Sequence, residues 1–175
     1  MTWICNNNTV FLHIPKCGGN SVMHFIPGKL YNEDWFHQTR SEIDTELPVW
    51  TIVRHPADRI ISYWIYIQNR VSVKSPLGPL RETHRYNLPE DLNNLYSFIT
   101  VFNEMSMTDY IQPGVDNWYK LEEIEKVFPN FPIHNATKHN DWQYYLRGQE
   151  ECVTLIKEKY KQDFKNFNYS TDFTA

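Results

Sequence analysis

Residues 9–22, TVFLHIPKCGGNSV, run from β-branched and apolar side chains (Val10, Phe11, Leu12, Ile14) into Pro15 and Lys16. They then pass through Gly18-Gly19 to Ser21 and a new apolar segment. That order restricts the stretch to a strand, a tight turn and a helix. Adjacent glycines let the backbone approach a ligand, and the N–H groups opening the next helix can hold an anion. With a lysine at the lip and the Ser21 hydroxyl on the far side, the parts of a phosphate cradle are present. An ordinary strand-to-helix turn has the same outline, so alone the stretch reads as a generic anion cradle.

A second stretch repeats the order. Val49–Val53 (VWTIV) is a nearly continuous apolar run, which suits a parallel strand buried on both faces. It ends in Arg54-His55-Pro56, after which Ile60, Ile61, Trp64, Ile65 and Ile67 recur at helical spacing. Pro56 and Asp58 suit that helix's start. Arg54 falls at a strand's carboxyl end, where open α/β sheets bind ligands. Arg59 and Ser62 follow about one turn apart, so a guanidinium and a hydroxyl can converge on a second phosphate. Each also has an internal use: a salt bridge for Arg59, a helix-facing hydroxyl for Ser62.

The rest of the chain alternates in the same way. Residues 29–36 contain a second strand that delivers His37, and Thr39 or Ser41 can cap a short helix through Glu42 and Ile43. Residues 71–91 carry Pro76, Gly78, Pro79 and Pro89 with Lys74, Arg81 and Arg85, and read as a long surface excursion. Helical patterns follow at 92–102 and Met107–Ile111, then a fourth strand at 115–121 with a helical turn at 122–127. Residues 129–139 are irregular, and a last helix spans about 149–164. Strands alternating with helices in 175 residues predict one α/β domain with a covered sheet.

Composition narrows the function classes. A formal net charge of -4 gives no global argument for nucleic acid or anionic membrane, so any anion site is built locally. Cys5, Cys17 and Cys152 have neither zinc-ligand nor disulfide-framework spacing. No apolar run approaches the roughly 20 residues of a membrane helix, and the start MTWICNNNTV lacks the basic and apolar regions of a secretory signal. These features are expected of a cytoplasmic protein with reduced thiols and no membrane anchor.

HIPKCGGNS followed by VRHPADRIISYW resembles the cytosolic and Golgi-type sulfotransferases, which use 3′-phosphoadenosine 5′-phosphosulfate (PAPS). In that family a PK-x-GG-x-S loop holds the 5′-phosphosulfate and an R-x-P-x-x-R-x-x-S stretch holds the 3′-phosphate. Lys16, Gly18, Gly19, Asn20 and Ser21 match the first; Arg54, Pro56, Arg59 and Ser62 match the second. Cys17 stands where the family often has threonine, and contributes through its backbone. His37-Gln38-Thr39 with Glu42-Ile43 is similar to an H-x-T-x-x-E-I segment of the carbohydrate-type branch. Lys120-Leu121-Glu122 looks like that branch's strand ending in a glutamate, and residues 163–169 resemble its D-F-x-x-F-x-Y ending.

The resemblance implies a P-loop-like three-layer α/β fold with a mostly parallel central sheet flanked by helices. It implies PAPS as donor, PAP as product, no metal, and a hydroxyl acceptor of glycan type. Cofactor contacts are expected from Lys16, Cys17, Gly18, Gly19, Asn20, Ser21, Arg54 and Ser62. Lys16 would meet the charge growing on the 5′-phosphate, and His37, on the same sheet edge as both anchors, would be the base. Glu42 is a second candidate base, though at a helix start it serves the dipole. His13 reads as a strand residue and His55 as a turn residue near the donor; the region 135–138 approaches the nucleotide. Lys74, Arg81, His84 and Arg85 form a basic loop for an anionic acceptor or for solvent. Trp35, Trp64 and Trp142 can stack on sugars or fill the core. Two alternatives stand beside this reading: a PAP/PAPS-binding module without turnover, and a P-loop kinase-like enzyme. The second fails on residue order, because G-x-x-x-x-G-K-S/T puts the lysine after the glycines, whereas Lys16 precedes them.

Overall fold

The computed structural model describes residues 2–31, 37–72, 88–132 and 140–173. The chain divides into two compact units, one of Met1–His55 with Ser106–Ala136 and one of Pro56–Met105 with Thr137–Ala175. The first holds the whole sheet. Its strands are β1 (Thr2–Cys5), β2 (Thr9–Leu12), β3 (Gly28–Leu30), β4 (Val49–Val53) and β5 (Asn117–Lys120). Its helices, in the order of the whole chain, are α1 (Gly19–Phe25), α4 (Met107–Ile111) and α5 (Ile124–Val127). The second unit is helical among its described residues: α2 (Pro56–Ser72), α3 (Leu95–Val101), α6 (Trp142–Leu146), α7 (Glu150–Lys159) and α8 (Lys161–Asn166).

The protein is thus of the α/β class, with a five-stranded mixed sheet in the order β3-β1-β2-β4-β5. β2–β4 and β4–β5 are parallel pairs, while β1 lies antiparallel to both β2 and β3. Four strands therefore point one way and β1 alone runs against them. β1 is the strand the sequence did not announce. Its four residues show no clear alternation, and it is held by the register Trp3↔Phe11 on one side and Trp3↔Leu30 on the other. The expected second strand is short, ending at Leu30; residues 32–36 with Trp35 lie outside the described residues.

β4 fulfils its reading. All five residues are buried, and a nearly continuous apolar run is what two covered faces favour. On one face Trp50 and Ile52 join Phe11, Val22, Ile124 and Phe131; on the other Val49 joins Val10, Leu12 and Ile43. The one buried hydroxyl of the strand, on Thr51, donates to the Leu12 carbonyl at 2.7 Å, which satisfies it while tying β4 to β2.

In the second unit α2 turns Ile60, Ile61 and Ile67 toward a core shared with Phe98, Ile99 and Phe102 of the α3 region and Ile156 of α7. The single C-terminal helix expected at 149–164 is two, broken at Tyr160, whose φ of -112° and ψ of 26° are not helical. Lys159, just before the break, donates from Nζ to the carbonyls of Ile99 and Phe102 at the C-terminal end of α3. No helix among the described residues is long and apolar enough to cross a membrane.

Candidate functional site

Parallel pairing of β2 with β4, in the register Leu12↔Thr51, brings the two carboxyl ends side by side. From β2 the chain leaves toward β3, on one side of the sheet; from β4 it leaves toward β5, on the other. That divergence is the topological switch point at which open α/β sheets bind ligands. Lys16 and Arg54 follow these two ends.

The first loop is built from residues 14–17. Cys17 N–H donates to the Ile14 carbonyl at 3.3 Å, with Pro15 second and Lys16 third at a φ of 65°. This is the pattern of a type II turn, whose third position calls for positive φ and favours glycine. Lysine there costs about 1–2 kcal/mol relative to an unstrained backbone. Gly18 follows at φ 81° as the residue capping α1, and its carbonyl accepts from both Ser21 N–H (3.0 Å) and Val22 N–H (3.3 Å). The amides of Gly18, Gly19 and Asn20 have no acceptor among the described residues. Three successive donors beside a half-buried lysine can hold an anion.

The second anchor joins the first directly. Arg54 Nη1 donates to the Lys16 carbonyl at 3.1 Å. The next backbone amide, of His55, donates to Glu122 Oε1 at 2.6 Å, so a carboxylate just past β5 pins the chain leaving β4. Lys16, Cys17, Gly18, Gly19, Asn20, Ser21 and Arg54 are thus assembled in one unit. Ser62 lies in the other, 1% exposed on α2. Arg59 is there too, and its charge has an internal partner: Nη2 lies 3.6 Å from Glu104 Oε1, Nη1 donates to the Met105 carbonyl at 2.9 Å, and the guanidinium stands over the Tyr63 ring.

The glycine pair has a different division of labour from the one expected. Gly18 supplies the left-handed backbone. A Cβ on Gly19 would lie 1.9 Å from His13 Cδ2, so its missing side chain is space filled by an imidazole. His13 is not in a strand; it follows β2, buried. Its Nδ1 has no hydrogen-bond partner among the described residues. Burial, with the charges of His37 and Lys16 adding to it, holds its pKa well below the ordinary 6.5.

This histidine couples folding to pH. The unfolded chain takes up its proton below about 6.5, whereas the folded chain resists, so stability is present above that pH and falls below it. The slope approaches about 1.4 kcal/mol per pH unit. Urea midpoints at about pH 7.5 and about pH 5.5 measure the loss, and His13→Gln is expected to reduce it. An equal loss in the variant would assign it to other groups.

His37 meets His13 twice. Its Nδ1 lies 3.3 Å from the His13 carbonyl, and the rings meet edge to face at 4.6 Å. A carbonyl only accepts, so Nδ1 carries the proton in this contact and Nε2 is left as the basic nitrogen. Glu42 is otherwise engaged. Its carboxylate accepts from Thr39 N–H (2.6 Å) and Thr39 Oγ1 (2.8 Å), a capping box that lowers its pKa and weakens it as a base.

Lys74, Arg81, His84, Arg85, His134, His139 and the region 135–138 lie outside the described residues. Met107, whose sulfur accepts the Arg54 amide, carries no motif; Glu122, the glutamate after the fourth strand, is singled out by the resemblance, and the structure adds its bond to His55 across 67 residues. No cluster of three or more histidine, cysteine or acidic side chains among the described residues is placed to hold a metal ion. The chain matches no family model, no characterised protein and no solved structure.

Proposed function

We propose that this protein is a PAPS-dependent sulfotransferase that transfers a sulfuryl group to an acceptor hydroxyl, of carbohydrate type. The observation that carries the reading is the bond from Arg54 to the Lys16 carbonyl at two adjacent parallel strand ends. It supports a single anion-binding region in which the PK-x-GG-x-S loop and the arginine of the second motif act on one nucleotide. The shared direction of four strands is compatible with the P-loop-like three-layer arrangement that the resemblance implies. The residues present fit the donor: Lys16 and the amides of Gly18–Asn20 for the 5′ end, Arg54 for a further phosphate.

When bound, the donor supplies an activated sulfuryl group with a nucleotide phosphate as leaving group. The protein's part is positioning and charge stabilisation. Lys16 meets the negative charge that grows on the leaving phosphate as the bridging S–O bond breaks. The loop amides hold the same oxygens in place at no reorganisation cost. His37 takes the proton of the acceptor hydroxyl at Nε2 while the new S–O bond forms.

Calorimetry with PAP, ADP and ATP is the direct test. PAP is expected to bind tightest, and Arg54→Ala to remove most of that preference; equal binding of ATP would overturn the assignment. Ser62→Ala, tested separately, examines the 3′-phosphate role implied by the resemblance. Lys16→Gly relieves the left-handed strain, so stability is expected to hold or rise by up to about 1 kcal/mol while donor binding weakens. His37→Ala is expected to lower transfer of labelled sulfate about 10²–10⁴-fold and leave PAP affinity unchanged. Tight PAP binding by a chain that transfers to no glycan or alcohol would instead identify a binding module.

A further inference from the structure

Met107 belongs to neither anion motif, yet its sulfur lies between their two arms. It opens α4 fully buried, and that helix start is fixed by a capping box in which Ser106 and Asp109 satisfy each other's amides. Met107 Sδ accepts the Arg54 backbone N–H at 3.3 Å, and Cys17 donates its S–H to the same sulfur at 3.7 Å. One arm of this bridge is the third residue of the loop PKC; the other is the anchoring arginine itself.

A thioether is a weak but polarizable acceptor and suits a buried thiol better than a hydroxyl would. This accounts for cysteine at position 17: its side chain faces inward to sulfur, and only its backbone borders the cradle. The bridge and the Arg54–Lys16 bond close a ring of contacts through both arms. We infer that Met107 is a positioning residue, setting the spacing between the 14–17 turn and Arg54. Its ligand, though not its geometry, rests on the sulfotransferase reading.

Met107→Leu keeps the apolar volume and removes the acceptor. In the nucleotide-free variant, amide exchange at Arg54 is expected to quicken about tenfold, since the N–H loses its partner. Alkylation of Cys17 by iodoacetamide should also rise, and PAP affinity should fall about tenfold. Circular dichroism establishes that the variant is folded, and Met107→Val serves if leucine does not fold. Exchange and alkylation at wild-type rates would overturn the bridge. Faster exchange with unchanged PAP affinity would overturn its positioning role. If the wild-type protein binds no PAP, the donor assignment fails alone, and the two nucleotide-free readouts still decide whether Met107 holds the arms together.

Discussion

Gly19→Ala is expected to destabilise the sheet-bearing unit by about 3 kcal/mol or more, at the upper end of overpacking costs. The added methyl would stand 1.9 Å from His13 Cδ2, 2.2 Å from Nε2 and 2.4 Å from Cγ. No rotation of the methyl relieves this, because Cβ is fixed by the backbone. The imidazole must move instead, and it is buried with its ring edge against His37. Gly18→Ala fails for another reason, a backbone φ of 81° together with a Leu121 methyl carbon at 2.8 Å. That flexible side chain can shift, so the expected cost is smaller, about 1–2 kcal/mol. A double-mutant cycle isolates the first mechanism. His13→Ala makes room, and the Gly19→Ala penalty should shrink by most of its value in that background, a coupling measured from urea midpoints. An additive double variant would show that the ring is not what excludes the methyl.

Glu104→Ala is expected to cost about 3–5 kcal/mol, because it leaves the Arg59 guanidinium buried without its carboxylate. Both side chains are 3% exposed at a separation of 3.6 Å. The Met105 carbonyl and the Tyr63 ring remain, but neither carries a compensating charge. The buried Asp163 shares Tyr160 as a neighbour with Arg59 and Glu104, all three charges acting on its hydroxyl. The thermal midpoint is expected to fall by about 10 °C at this chain length. Replacing the pair together, Arg59→Met with Glu104→Leu, should recover most of the loss, since burying two charges carries its own desolvation cost. A loss under about 1 kcal/mol for Glu104→Ala would mean that Asp163 is the effective partner. The same experiment bears on function, because Arg59 matches a position of the second motif and its charge is already engaged in this structure.

Elements whose signal is local were legible beforehand. β4 was placed to the residue, because a nearly continuous apolar run, broken only by Thr51, describes a doubly covered strand. α4 was also placed to the residue, and α2 began where proline and an acidic first turn put it. A cap at Thr39 or Ser41 was visible as well; Thr39 takes it, and the short helix it opens is a 3₁₀ turn, Arg40–Glu42. β1 was not legible. It holds its place through pairing with strands on both sides, and a four-residue segment carries little of that in its own pattern. The break at Tyr160 escaped for a related reason: apolar spacing continues through it, and only the backbone angles change.

The candidate site divides along the same line. Residue order alone put a lysine-glycine loop and an arginine after two separate strands, and excluded the Walker arrangement, because covalent neighbours determine which group precedes which. Only the folded chain decided that the two strands are direct neighbours, that Arg54 reaches the Lys16 carbonyl, and that Gly19 is small for His13 rather than for a ligand. It also decided that Arg59 is committed to Glu104, 45 positions away by number, and that a methionine sulfur bridges the two arms. These are contacts between distant segments, created by packing and absent from any local periodicity.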